Sequence, residues 1–153
     1  MTLKSLTKVE LTGDKVKILY QAIEGDLPAF RHAHENDAGY DLYSAENAWI
    51  MSGETRAIQT NARVCIPAGY VGLVTGRSGN NSQGMLCHLG TIDAGYTGPI
   101  YAVLSCLTYH GMNVRRGDRI AQLVILKLPE VELSEGILPE TERGEKGLGS
   151  TGR

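Results

Sequence analysis

The sequence has few large aromatic anchors: one Phe and one Trp stand against nineteen glycines. That composition fits short strands joined by tight turns better than a helical bundle. Cysteine is scarce too. Cys65, Cys87 and Cys106 are odd in number, far apart and without a CxxC pair, which points away from a zinc site or disulfide framework and toward reduced, mostly buried thiols. The four histidines show no pairing at metal-ligand spacing. No stretch approaches membrane-spanning length, and the start, Met1-Thr-Leu-Lys-Ser-Leu6, lacks the apolar run of a signal peptide, so a soluble cytoplasmic protein is expected. Charge of one sign is also missing. With 15 Lys and Arg against 17 Asp and Glu, the net charge of -2 argues against a chain held on nucleic acid or membrane by bulk electrostatics, and neither partner is expected.

What is present is ordinary for one globular domain: 42% hydrophobic and 21% charged residues in 153. Helical periodicity is hard to find. Strands are expected at Lys15–Tyr20, Gly39–Tyr43, Ala48–Met51, Thr55–Ile58, Ala62–Ile66, Tyr70–Thr75, Met85–His88, Ile100–Leu107, Met112–Val114, Ile120–Leu128 and Glu130–Leu133. Turn signals separate them at roughly eight to twelve residues, the spacing of an all-β sandwich, jelly roll or barrel. A hairpin is expected over Gln83–Ile92 and one short helix near Gly79–Gln83. From Pro139 the composition turns polar, with Leu148 the one hydrophobic residue after Leu138. The expected division is a β domain over 1–138 and a flexible segment over 139–153, either a solvated tail or an arm that closes over a ligand.

Two pattern matches fail on context. Gly147-Leu-Gly-Ser-Thr-Gly152 satisfies GxGxxG, yet no strand precedes it and no helix follows to receive a pyrophosphate. The stretch from Gly144 to Thr151 resembles a P-loop but lacks the Lys before Ser. Five short polar, glycine-bearing segments survive: Ala38-Gly-Tyr-Asp-Leu-Tyr-Ser44, Gly76-Arg-Ser-Gly79, Gly90-Thr-Ile-Asp-Ala-Gly-Tyr-Thr-Gly98, Arg116-Gly-Asp-Arg-Ile-Ala-Gln122 and Arg143-Gly-Glu-Lys-Gly-Leu-Gly-Ser-Thr-Gly152. Any one alone reads as turn chemistry, with Gly for positive φ and Asp or Ser for side-chain-to-backbone bonds. Together they supply arginines, Gln, hydroxyls and glycyl amides, an inventory for binding phosphate. They also place two carboxylates, Asp41 and Asp93, beside tight turns where water and metal handling is feasible.

These five segments, in this order and from about Lys15 onward, resemble the five motifs of trimeric dUTPases; AGYDL, RSG, GTIDAGY, GDRIAQL and GSTG match nearly letter for letter. The resemblance implies a distorted jelly-roll (β-clip, dUTPase-like) protomer in a homotrimer whose three sites each draw on all three subunits, with the C-terminal arm lent by a neighbour. The implied reaction is hydrolysis of dUTP to dUMP and pyrophosphate, which limits uracil in DNA and supplies dUMP for dTTP synthesis. Asp93 is implied as the general base that activates water for attack on the α-phosphate. Arg77, Ser78 and Gly79 would bind phosphate oxygens, Gln122 would reach the phosphate chain, and Tyr96 would lie under the deoxyribose and reject a 2′-hydroxyl. Uracil would be read by backbone groups of the Gln83–Ile92 segment, including Thr91 and Ile92, with Cys87 or His88 near the base. Arg143, Ser150 and Thr151 would cover the γ-phosphate, and Leu148 and Gly149 would lie over the base. The implied cofactor is Mg²⁺, held mainly by the phosphates and met by Asp41 through water.

Two features depart from the family pattern. The arm reads Lys146-Gly147-Leu148 where GGFGSTG is usual, so Leu148 covers the base without π-stacking. The ten residues Asn80–Leu89 form a compact connection, similar to phage or viral members, which would act in a host-cell cytoplasm. A dCTP deaminase-like enzyme would need an acid on the strand Ile100-Tyr-Ala-Val-Leu104, which has none. A binding or regulatory relative, acting through protein contacts, would not need Asp93, Tyr96 and Arg143.

Overall fold

A computed structural model describes residues 11–12, 15–145 and 147. Among them the chain forms β1 (Leu11–Thr12), β2 (Lys15–Val16), β3 (Leu19–Ala22), β4 (Phe30–Arg31), β5 (Gly39–Tyr43), β6 (Ala48–Ile50), β7 (Thr55–Cys65) and β8 (Tyr70–Thr75). There follow α1 (Ser78–Ser82), β9 (Met85–Cys87), β10 (Gly90–Ile92), β11 (Pro99–Cys106), β12 (Met112–Val114) and β13 (Arg119–Lys127). The strands pair antiparallel in a five-stranded sheet, β10-β8-β13-β5-β4, and a four-stranded sheet, β3-β7-β11-β9, with two-stranded ribbons β1-β2 and β12-β6. This is the all-β architecture expected of a distorted jelly roll. No helix among the described residues is long and apolar enough to cross a membrane.

The core follows from alternation. Along β11, Ile100, Ala102 and Leu104 are buried while Tyr101 and Val103 face outward, the period of two that a half-covered strand imposes. Leu42, Ile58, Ile66, Val74, Ile120 and Leu123 from both sheets complete one aliphatic cluster, and no aromatic residue is fully buried among the described residues. Small and branched side chains fill the space, so truncating Leu104 to Ala would cost about 2–5 kcal/mol. At Gly72 even a methyl is too much: a Cβ there would stand 2.5 Å from the Ile66 side chain. Three aromatic residues and a histidine gather at the rim. Tyr20, Phe30, Tyr40 and His32 meet edge to face and line a groove of about 790 Å³ between β2–β3 and β4–β5.

Several expected elements differ. The two strands expected at Thr55–Ile58 and Ala62–Ile66 are one eleven-residue strand, β7: Gln59 pairs with Tyr101, Thr60 bridges to Ser44, and the Asn61 carbonyl accepts the Ile23 N–H, so the chain stays extended rather than turning. The expected strand at Lys15–Tyr20 divides into β2 and β3, and the short helix lies one residue earlier, at Ser78–Ser82. The Gln83–Ile92 segment is not a paired hairpin: β9 joins the four-stranded sheet through β11, while β10 joins the five-stranded sheet through β8. That segment therefore crosses from one sheet to the other. Glu130–Leu133 forms no strand; it is exposed and finds no ladder partner in its own chain among the described residues.

Candidate functional site

The central carboxylate is Asp41, in the middle of β5 and only 6% exposed. Cross-strand pairing sets a row over the five-stranded sheet: Arg31 opposite Asp41, Asp41 opposite Gln122, Gln122 opposite Thr75. A buried carboxylate is tolerated only with partners, and Asp41 has two: Arg77 Nε donates to Oδ1 at 2.8 Å and Arg119 Nη1 to Oδ2 at 3.3 Å. Beside it Gln122 Nε2 donates to the Gly76 carbonyl at 3.0 Å. The Gln122 side chain lies over Gly39, where a Cβ would come within 2.4 Å of Oε1, so the glycine of the first segment makes room for the glutamine of the fourth.

A β-bulge makes this face possible. The register of β13 against β5 shifts between Arg119 and Ala121, and the consecutive residues Ile120 and Ala121 are both buried. In a regular strand residues three apart point to opposite faces; the extra residue returns Arg119 to the face of Gln122 and Asp41. The Arg119 carbonyl also accepts Asn80 Nδ2 at 2.8 Å and Arg77 Nη1 at 3.5 Å, which seats α1 against β13. Arg77 occupies the N-cap of α1 without a side-chain cap bond, and Ser78 and Gly79 follow it exposed. Thus Asp41, Arg77, Ser78, Gly79 and Gln122 come together. Arg119 was not among the residues expected to act: it stands inside the fourth segment, but only the bulge turns it toward Asp41.

A second group lies elsewhere on the sheet. On the edge strand β10, Thr91 is exposed and Ile92 is inward, and Asp93 follows exposed at the strand's end. A tight turn holds it there: Tyr96 N donates to the Asp93 carbonyl at 3.2 Å, Gly95 adopts φ +84°, and its N–H reaches the Ile66 carbonyl at 3.1 Å. The Tyr96 ring is 43% exposed, and its hydroxyl donates to the Pro99 carbonyl at 2.9 Å. Gly98 leaves the ring its place, since a Cβ there would meet that hydroxyl at 2.4 Å. Ile92 pairs with Gly72, five residues before Arg77. The Asp41–Gln122 row meets β8 at Thr75, and Asp93 follows Ile92, so at ~3.3 Å per strand residue the two groups stand about 13 Å apart along the sheet. One chain does not bring Asp93 and Tyr96 to Asp41, Arg77 and Gln122.

In the connecting segment Cys87 is inward and burial pushes its thiol up to about 11. The His88 ring is tied back to β11, with Nε2 2.7 Å from Ser105 Oγ, which in turn lies 2.6 Å from Thr55 Oγ1. After β13 the described residues run without strands and mostly exposed, with Leu133 at 94% and Ile137 at 102% accessible. Arg143 is exposed near its end; Leu148, Gly149, Ser150 and Thr151 lie outside the described residues. No cluster of three or more His, Cys, Asp or Glu able to hold a metal occurs among the described residues.

Comparison with known proteins gives these segments a context. The dUTPase family model matches residues 26–152. A deoxyuridine 5′-triphosphate nucleotidohydrolase of Mycobacterium sp. (strain JLS) is 43% identical over 140 residues, covering 85% of this chain and 91% of that protein. Another, from Mycobacterium leprae (strain TN), is 39% identical over the same shares. Among solved structures, a Staphylococcus bacteriophage 80alpha dUTPase mutant with dUpNHpp superposes with a TM-score of 0.78 at 30% identity, over 90% of this chain and 99% of that one. A mutant dUTPase from phage phi11 of S. aureus, described with a coordinated structural Mg(II) ion, superposes with a TM-score of 0.74 at 29% identity, over 82% and 99%.

Proposed function

The chain belongs to the dUTPase family and is a dUTP diphosphatase, and from that premise we propose how its residues divide the work. The observation that carries the proposal is the separation of two incomplete groups on one protomer, the phosphate-binding set around Asp41 and the water-activating set around Asp93. A ring of three copies joins the first set of one subunit to the second set of the next, since a heterologous interface closes into a cycle. The arm, residues 139–153, comes from a neighbouring copy; the exposed Leu133, Ile137 and Leu138 just before it favour a contact outside their own chain.

At the joined site Arg77 gives the triphosphate a charged fork, and the Ser78 hydroxyl and Gly79 amide bind further oxygens. Gln122 holds the phosphate chain from the sheet face. Tyr96 lies flat beneath the deoxyribose, where a 2′-hydroxyl would strike the ring. Thr91 and Ile92 present backbone groups of edge strand β10 to uracil; a cytosine amino group would leave such buried groups unpaired, the penalty on which base selectivity rests. Asp93, exposed and held by its turn, takes the proton from water as that water attacks the α-phosphorus, and pyrophosphate leaves. Arg143, Leu148, Gly149, Ser150 and Thr151 close the site and exclude bulk water.

The residues present fit a divalent ion brought by the substrate rather than one resident in the protein. Among the described residues Asp41 is the one buried carboxylate at the site, both its oxygens already hold arginines, and no ligand cluster surrounds it. It would meet Mg²⁺ through water, while the phosphates supply the direct ligands. Bound there with the substrate, such an ion would supply neutralisation of the phosphate charge. Pyrophosphate release measured with dUTP, dCTP, dTTP and UTP tests the function directly: release with dUTP far above the other three is expected, and none with dUTP would end the reading.

A further inference from the structure

Arg119 touches both other parts of the chain that flank Asp41: α1 with its N-cap, and β5. Through its carbonyl it anchors Asn80 of α1 and the guanidinium of Arg77; through its own guanidinium it holds Asp41 Oδ2. Arg77 holds the other oxygen, Oδ1. Asp41 is thereby gripped at both oxygens, and turning its carboxylate about the Cβ–Cγ bond would break a charge-assisted bond on either side. With Arg77 alone, that terminal torsion would be free to swing, since sp³–sp² torsions have broad wells. The two grips differ in exposure: the Arg77 side chain is 25% and the Arg119 side chain 48% accessible, so Arg119 stands on the wetter side of Asp41. A groove of about 690 Å³ opens there, lined by Arg31, His34, Asp41 and Arg119 among others.

We propose that Arg119 is a positioning residue for dUTP hydrolysis: it fixes the plane of the Asp41 carboxylate so that its remaining lone pairs face the waters of the triphosphate-borne divalent ion. The proposal rests on the role assigned above to Asp41. Asn80 serves it at one remove, by holding the Arg119 backbone at the bulge from which the side chain projects.

The test uses the full-length protein, with Arg119→Gln and Arg119→Lys, and a non-hydrolysable imido analogue of dUTP titrated by calorimetry in Mg²⁺ and in EDTA. Loss of one charge-assisted bond corresponds to about a tenfold effect. Arg119→Gln is expected to weaken binding about tenfold in Mg²⁺ and less than about twofold in EDTA. It should raise KM and the Mg²⁺ concentration for half-maximal rate by a similar factor, with kcat within about threefold. Arg119→Lys, which can remake the single contact, should recover most of the loss. Equal weakening with and without Mg²⁺ overturns the proposal, because Arg119 would then be a direct phosphate ligand; so does an unchanged affinity. A wild-type protein that binds the analogue equally in Mg²⁺ and EDTA removes the Asp41 role itself, and Arg119's with it.

Discussion

On the reading proposed above, the Asp41 group and Asp93, about 13 Å apart along one sheet, meet on one α-phosphate only across a subunit boundary. Two subunits that are each inactive for a different reason should therefore repair one another. Asp93→Asn removes the base and leaves the Asp41 group intact. Arg77→Gln removes the phosphate fork; glutamine is preferred to alanine because its amide still offers Asp41 Oδ1 a donor in place of the 2.8 Å bond, so the buried carboxylate is not stranded. Alone, the first variant should fall by roughly 10²–10⁴-fold in kcat, the range for a positioned base. In a ring of three where each site takes Arg77 from one copy and Asp93 from the next, every mixed trimer holds about one fully native site in three. Random reassembly at equal ratio makes about three quarters of trimers mixed, so about a quarter of all sites are restored. The assay is pyrophosphate release after the two variants are unfolded together and refolded, beside each refolded alone. Recovery near a quarter of wild-type activity is expected. A mixture no more active than its better parent would mean that one chain supplies both groups, and the division proposed for the site would be wrong.

Three further outcomes are accessible to simple measurements. Gly39→Ala puts a methyl where Gln122 Oε1 lies, 2.4 Å from the new Cβ, so Gln122 must leave the Gly76 carbonyl; KM for dUTP should rise roughly tenfold, the value of one charge-assisted contact, with little change in Tm. Ending the chain after Glu142 removes none of the core residues among those described, so the melting temperature should hold within a few degrees while turnover is lost; retained turnover would refute the closing role of the arm. Burial keeps Cys87 protonated until pH approaches about 11, whereas Cys65 is exposed. At pH 8 a thiol reagent should label Cys65 first, by mass spectrometry, and Cys87 should react only as the pH rises toward its own titration or as the protein opens.

The strands that the alternation of residues declares were legible: β5, β6, β8 and β11 to β13 fall within a residue or so of their expected limits because one face of each is covered. Of the five polar segments, the structure brings the first, second and fourth together around Asp41, as segments sharing one sheet face allow. What could not be read was phase and partnership. β9 and β10 are three-residue strands, too short to carry a readable period, and only the tertiary structure assigns them to different sheets. Strict alternation would place Arg119 on the face opposite Gln122, and a bulge costs one residue and leaves no signature in composition. The two-group layout depends on which end of β8 each segment meets, information held in the β10–β8 register and not in the letters of either strand.

The bulge at Ile120 also bears on how reliably the chain folds. β13 lies between β5 and β8 and makes the longest set of cross-strand partners in its sheet, so a slipped alignment there would be the costliest error available to the folding chain. Before Ile120 the strand keeps one inward phase and after Ala121 it keeps the other, and only one alignment on β5 satisfies both halves. Shifting by one residue would push Gln122 into the core and lift Leu123 out; shifting by two would keep the faces but part the bulge from the place where β5 accommodates it. The irregularity that turns an arginine toward its aspartate is thus also a registration mark, making the correct assembly of the central sheet the one that is hardest to mistake.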